Sequence, residues 1–421
     1  MATGTVRAPS APPHGGVRPA WSPLRALRAY SYRVPLCVPY WSGATYRALL
    51  RAVLLGRLVD GPDPARLGAR LGALLGTHVL PCGSGRGAIE VALRAGDIGP
   101  GDEVVVPAFC CESVVPPILA VGARPVLADV GGDGNLTAET VDAALGPRTR
   151  AVVVPHLFGN AAPIEAIAAL GRTRGVLVLD DAAQALGALL GTRPLGTFGD
   201  AGMLSFGAGK VCFGVGGGAL VSGDPVLFER ARAIPLERGS AWAGLHQSAA
   251  VLVWRRWRRV TLPLQVLLSR LGRPARAGRP PLGRAMRNVD AAVALTLLDT
   301  LPENLRARRR RVALYREGLE GRARVELFPH HRGSACLTQV IRMRGGHRSA
   351  LDLIHALRAE GIEAEASFTP LHLTARYREL GRRGLATAES LAPDLVELPC
   401  EPSVAPALVE RVARVVREVA A

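Results

Sequence analysis

Lysine is almost absent from this chain. Of its 52 basic side chains only one, Lys210, is not arginine. A GC-rich codon bias explains part of the arginine excess, and it makes the surviving lysine conspicuous. Arginine stays protonated and delocalised, whereas a lysine amine becomes a nucleophile once its surroundings lower its pKa. Cysteine is sparse too. The seven residues have irregular spacing, Cys110 and Cys111 are adjacent, and no pair has zinc-ribbon spacing. That argues against a disulfide frame or a metal site and for free thiols in a reducing cytoplasm. The N-terminus lacks the apolar stretch of a signal peptide.

Acidic residues are outnumbered, leaving a net charge of +17. The arginines are spread over the whole chain and no nucleic-acid-binding motif accompanies them, so no nucleic-acid partner is expected. A phosphate-bearing small molecule, gripped by guanidinium forks, fits better. Residues 249–271 mix apolar stretches with Arg255, Arg256, Arg258 and Arg259. Four charges near the middle exclude an ordinary spanning helix. A packing or lid helix is the expected role, with peripheral membrane contact as the alternative.

What the chain does have is a core. With 421 residues, 48% of them apolar, it can form one large or two medium domains. Residues 1–24, rich in Pro, Gly, Ala and Arg, read as a flexible arm. Helical periodicity covers 45–76. Short apolar runs follow at 104–107, 125–129, 151–155, 176–180, 202–206 and 218–222, with helix-like segments between several of them. Such alternation predicts an α/β fold with a mainly parallel central sheet covered on both faces. A long helix is expected over 289–318, interrupted at Pro302. The remainder reads as a smaller C-terminal α+β domain ending in a helix over 404–419. The expected organisation is an N-terminal arm at 1–40, a large domain at 41–240, a basic apolar insertion at 241–286, a connecting helix at 287–320 and the small domain at 321–421.

Three local patterns carry chemistry. Lys210 lies in SFGAGKVCFGVGGG, a glycine-rich, nearly uncharged loop after a buried-looking strand, an odd place for a solvated lysine. Asp180 and Asp181 end the apolar run VLVLD-D, and ligands of parallel sheets bind beyond the carboxyl ends of strands. A carboxylate there either caps the next helix or pairs with a protonated ring nitrogen. In CGSGRGAIEVAL a glycine turn runs straight into a helix, so Ser84, Gly85 and Arg86 are candidates for an anion cradle. Ser205, five residues before Lys210, can add a hydroxyl to it.

In one order along the chain stand the glycine turn, VVPAF, VPHLFGN, LDDAAQALGA, FGDAGMLSFGAGK and GVGGGALVS, with TPLHLTARYREL and AESLAPDLVELPCEPSV near the end. This order resembles the DegT/StrS family of sugar aminotransferases. The resemblance implies a fold-type-I enzyme that uses pyridoxal 5'-phosphate, and a homodimer. It further implies amino transfer from an amino acid, glutamate being the expected donor, to a nucleotide-linked keto sugar. Carried over by position, Lys210 is the Schiff-base lysine, Asp181 the pyridinium partner and Gln184 the ring-hydroxyl contact. Ser84, Gly85, Arg86 and Ser205 hold the phosphate. Cys111 stands where an aromatic commonly covers the ring. His156 and Arg287 are the expected substrate contacts, the latter reaching into the neighbouring subunit.

The sequence departs from the family pattern at Gly209, Val211 and Ala285, where the family usually has a hydroxyl residue, Asn and Asn. Arg86 replaces a small hydroxyl residue. Lys210 itself argues against the dehydrating branch, in which this lysine is replaced. Two alternatives share the same residues: an acyltransferase of the same fold, and a non-catalytic cofactor-binding accessory protein.

Overall fold

The computed structural model describes residues 34–252, 283–381 and 384–421. The arm at 1–24 and most of the 249–271 segment lie outside them. At its centre is a seven-stranded sheet in the order β1-β9-β8-β5-β4-β2-β3. The strands are β1 (His78–Cys82), β2 (Glu103–Pro107), β3 (Arg124–Ala128), β4 (Thr149–Pro155), β5 (Leu177–Asp181), β8 (Ala201–Ser205) and β9 (Gly218–Ser222). A two-stranded hairpin, β6 (Leu189–Leu190) and β7 (Arg193–Pro194), lies between β5 and β8. Strands β3, β2, β4, β5 and β8 run parallel to one another. Strand β9 is antiparallel to both β8 and β1.

Val104, Val105, Val106, Val152, Val153 and Val154 are all essentially excluded from water. A strand buried on both faces has no reason to alternate polar and apolar, which is why these runs are continuous. Full burial of each valine contributes about 1.5–3 kcal/mol. Helices Gly85–Ala95 and Asn288–Asp299 bury long apolar stretches against the sheet's two separate cores.

The helix expected over 289–318 is two helices, Asn288–Asp299 and Leu301–Leu319. The break falls at Thr300, and Pro302 occupies the first turn of the second helix. There its missing N–H costs nothing, so proline starts that helix rather than interrupting it.

The C-terminal part forms a four-stranded antiparallel sheet, β10 (Val325–Leu327), β11 (Gln339–Met343), β13 (Leu395–Leu398) and β12 (Glu365–Ala366). Helices His347–Ala359 and Pro406–Ala420 pack on it. It docks on the ends of the large sheet through backbone and aromatic contacts. Leu371 N–H donates to Ala108 C=O at 2.7 Å, and Phe368 stacks on Phe158 and meets Phe109 edge-on. Val34, within the expected arm, bridges to Ile362 and so ties the chain's early residues to this small sheet.

Candidate active site

A cavity of about 380 Å³ opens where the parallel strands end at their carboxyl termini. Small-molecule sites occupy this place in open α/β sheets. Ser84, Gly85, Arg86, Cys111, His156, Asp181, Gln184, Ser205 and Lys210 all line it. Arg287 does not; it stands behind one wall.

The turn Gly83–Ser84 ends β1 and starts helix Gly85–Ala95. Ser84 is its N-cap, accepting from Gly87 N–H at 3.0 Å. The helix starts flush against the ends of β8 and β9. A Cβ on Gly85 would come within 2.8 Å of Met203 Sδ, and one on Gly218 within 2.3 Å of Gly85 N. Only glycine lets the backbone come this close. The first-turn amides and the positive end of the helix dipole therefore face the cavity beside Ser205.

Asp181 is the last residue of β5 and is buried. One carboxylate oxygen accepts from Ala183 N–H at 2.9 Å. Burial pushes its carboxyl above the usual range, while that hydrogen bond and the charges of Lys210 and His156 pull the other way. A buried carboxyl held up in this way is poised to become ionised when a cation arrives beside it.

Its neighbour Asp180 points to the opposite side and is fully committed. Oδ1 meets His156 Nε2 at 2.5 Å, and Oδ2 accepts from Gly196 and Phe198 N–H at 2.9 and 2.8 Å. The other ring nitrogen of His156, Nδ1, accepts from Ala162 N–H. Nδ1 therefore carries no proton, and Nε2–H donates to Asp180. With both nitrogens engaged, His156 presents its ring rather than a donor to the cavity, so the expected substrate contact cannot run through a ring nitrogen. Asp180→Ala would leave this histidine and two backbone donors unsatisfied. We expect it to cost about 3–5 kcal/mol of stability, read by denaturant melts; a cost near zero would contradict this arrangement.

The HLFGN turn is shaped from both sides. Phe158 has a left-handed backbone, φ 60°, a conformation costing a non-glycine residue about 1–3 kcal/mol. Asn135 Oδ1 accepts from Leu157 N–H and Gln184 Oε1 from Phe158 N–H, which holds it. Because the Gln184 oxygen is used, its amide nitrogen is the group left for the cavity, and a ligand hydroxyl oxygen suits it.

The Lys210 loop is pinned just after the lysine. Val211 C=O accepts from Asn304 Nδ2, and Phe213 C=O from Trp41 Nε1. Asn304 is itself held by buried Arg308, whose guanidinium also reaches Glu401. Val211, where the family usually has Asn, is buried and serves through its carbonyl. Gly209 takes φ 75°, a conformation that favours glycine over the family's hydroxyl residue.

The small sheet adds a group the sequence did not advertise. Glu397 on β13 lies opposite Glu365 on β12 and accepts from Ser367 Oγ at 3.0 Å. Burial, helped by repulsion from Glu365, pushes its carboxyl up to about 7 against the pull of Ser367 and of the Lys210 charge. The folded protein thus holds this proton more tightly than the unfolded chain. The stability it brings is complete below the ordinary carboxyl value and is lost as pH rises through about 7. Glu397→Gln should therefore raise the cofactor-free protein's stability on the alkaline side by about 1–2 kcal/mol and leave it unchanged in acid. Thermal melts on both sides of neutrality check this, and an equal gain in acid would refute it.

Arg287 is buried and holds Asp290 through both Nε and Nη2 at 2.8 Å. It also donates to Gln247 Oε1 at 2.5 Å. The expectation of an arginine extended toward a neighbouring subunit meets a guanidinium already engaged within its own chain. Gln247, Gly216 and Gly217 also line the cavity, and sequence reasoning did not select them. For the glycines the signal was present in GVGGG. For Gln247 there was none, because it meets Arg287 across 40 positions.

None of the seven cysteines, all of which lie among the described residues, forms a disulfide. Among the described residues no cluster of His, Cys, Asp or Glu suits a metal ion, and no helix is long and apolar enough to cross a membrane.

Comparison with known proteins points to one family. Residues 43–417 match the model of the DegT/DnrJ/EryC1/StrS aminotransferase family. A GDP-perosamine synthase of Caulobacter vibrioides is 30% identical over 344 residues, 80% of this chain and 84% of that protein. A dTDP-3-amino-3,4,6-trideoxy-alpha-D-glucose transaminase of Streptomyces venezuelae is 38% identical over 192 residues, 45% of this chain and 50% of the other. The crystal structure of the aminotransferase TlmJ from Streptoalloteichus hindustanus superposes with a TM-score of 0.74. The two are 29% identical, with 92% of this chain and 98% of that one covered.

Proposed function

The chain belongs to the DegT/DnrJ/EryC1/StrS aminotransferase family, and from that premise we propose that it moves an amino group from an amino acid, glutamate first, to a nucleotide-linked keto sugar with pyridoxal 5'-phosphate as cofactor. The observation that carries this is the placement of the sole lysine. Lys210 shares one cavity with a buried aspartate and a helix N-terminus. The sugar substrate is supported by the relatives, whose names place them on nucleotide-linked sugars.

The residues fit the cofactor on their own evidence. The glycine-packed helix start, with no room for a Cβ at Gly85, offers amides to a phosphate. Asp181, held above its usual range by burial, offers a carboxylate to a ring-nitrogen cation. Gln184 offers its amide to the ring hydroxyl, and Lys210 Nζ is the amine that would hold the aldehyde carbon. Cys111 and the His156 ring line the same cavity and would help to hold the cofactor. When bound, the cofactor supplies an electron sink for the charge left on carbon when a C–H bond breaks.

The protein does the rest. Lys210 Nζ, once neutral, takes the proton from the donor's Cα and returns one at the carbon that receives nitrogen. Asp181 would keep the ring nitrogen protonated throughout. The donor leaves as its 2-oxo acid and the keto sugar as an amino sugar, so the exchange balances with no further reactant.

The working form we propose is a cytoplasmic homodimer. Helix Gly43–Leu54 supports it by turning Tyr46, Leu50, Val53 and Leu54 outward, an apolar stripe that a second copy would cover. The experiment for the main reading is an absorbance spectrum of the protein with pyridoxal 5'-phosphate, before and after glutamate. A band near the edge of the visible that moves to shorter wavelength is expected. A band unmoved by every amino donor refutes transamination, and no band at all refutes the cofactor.

A further inference from the structure

We infer that Gln247, at the start of the insertion, is a phosphate-contacting residue of the cofactor site, presented by the Arg287–Asp290 pair. This rests on the cofactor reading above and adds to it a residue that neither motif nor composition marked.

The location comes first. The anion end of the cavity is built from Ser84, Gly85 and Arg86, with Ser205 beside them. Gly217 forms a bridge with Ser84, and Gly218 packs onto Gly85 N. Gly216 and Gly217 therefore run along the phosphate end, and both line the cavity. A Cβ on Gly216 would lie 3.4 Å from Arg287 Nη2. The same Nη2 donates to Gln247 Oε1. Gln247 thus stands one guanidinium away from the glycine strand that flanks the cradle, and it lines the same cavity.

The orientation follows from what is already bonded. The carboxamide oxygen is taken by a cation, so the group left to face the cavity is the NH₂, a double donor. A donor beside a helix N-terminus calls for an anion or an oxygen acceptor. Polarisation by the guanidinium makes its N–H groups stronger donors. Arg287 itself is not the ligand. It is buried, its fork is closed on Asp290, and the pair brings no net charge. Its part is to aim the amide.

The backbone is cut to allow this. Residues 241–252 are helical, with Ser240 Oγ accepting from Ala243 N–H at the helix start. Gly239 and Gly244 press against the Arg287 side chain. A Cβ at Gly239 would fall 2.5 Å from Cγ, and one at Gly244 3.4 Å from Nη1. A larger residue at Gly239 would push the segment off the arginine and carry Gln247 away from the cavity. On this view the described start of the insertion is a wall of the site.

The test titrates cofactor-free protein with pyridoxal 5'-phosphate and, separately, with pyridoxal, which has the same ring and aldehyde and no phosphate. The readout is the absorbance of the lysine-bound form, not turnover. Gln247→Ala should raise the Kd for pyridoxal 5'-phosphate about tenfold or more, the size of a lost hydrogen bond to a charged group, and leave that for pyridoxal within about twofold. Gln247→Glu, which sets a carboxylate against the phosphate, should lose more than Ala does. Arg287→Lys, which cannot serve Asp290 and Gln247 together, should show part of the same selective loss. An unchanged Kd in Gln247→Ala, or equal weakening for both compounds, overturns the inference while the cofactor reading stands. A parent protein that binds neither compound overturns both.

Discussion

Lys210→Arg is expected to lose amino transfer as completely as Lys210→Ala, by at least about 10⁴-fold. The arginine variant is the sharper of the two. It keeps the positive charge, the length and the packing, and it makes the chain uniform in a residue it already uses everywhere else. What it removes is an amine that can become neutral, bond to an aldehyde carbon and later take a proton from Cα. The electrostatic part of the lysine's role survives, including its pull on Asp181 and Glu397. Both variants should therefore fold, as the loop is held by Asn304 and Trp41 through the carbonyls of Val211 and Phe213, not through the lysine. Both should also lack the long-wavelength band with added pyridoxal 5'-phosphate. Activity of Lys210→Arg above about one per cent of the parent would sink the assignment, because it would reduce Lys210 to a counter-charge.

The second large effect separates activity from stability. Asp181→Asn should lower amino transfer by about 10²–10³-fold, the scale of removing one preorganised electrostatic partner. An amide cannot hold a neighbouring ring nitrogen protonated. Yet the same change should stabilise the cofactor-free protein at neutral and alkaline pH. Burial holds the Asp181 carboxyl above its usual range, so the folded state binds its proton more tightly than the unfolded chain. The stability tied to that proton is present in acid and lost as pH rises through the raised value. Asparagine keeps an oxygen for Ala183 N–H and carries no titrating charge. Melts of the cofactor-free variant across neutral pH, paired with steady-state rates, measure both signs. A variant that is both less active and less stable at alkaline pH would mean that Asp181 serves the fold, as a turn residue, and not the ring.

The two aspartates show how far a sequence can be read. VLVLD-D placed two carboxylates at a strand end, and it left open which one capped and which one faced a ligand. A strand turns successive side chains to opposite faces, so one of the two had to be internal. Only the contacts decide that Asp180 is the internal one, with three donors gathered from His156, Gly196 and Phe198. The proline at 302 is a similar case. Its presence in a helical pattern was visible, while its place in the first turn of a new helix depended on where the preceding helix stopped.

By itself the sequence determined the parallel β/α alternation, the glycine turn into a helix and the uniqueness of Lys210. These depend on local chemistry: continuous apolar runs mark strands buried on both faces, glycine permits close backbone approach, and an amine differs from a guanidinium wherever it lies. The tertiary structure alone decided that β9 runs against its neighbours. It also joined Arg287 to Gln247, set His156 on Asp180, and brought Gln247 to the cavity from the start of the insertion. Each of these is a choice of partner over tens or hundreds of positions. Periodicity records that a side chain is buried or exposed, but which donor meets which acceptor is set only when packing brings distant segments within hydrogen-bonding distance.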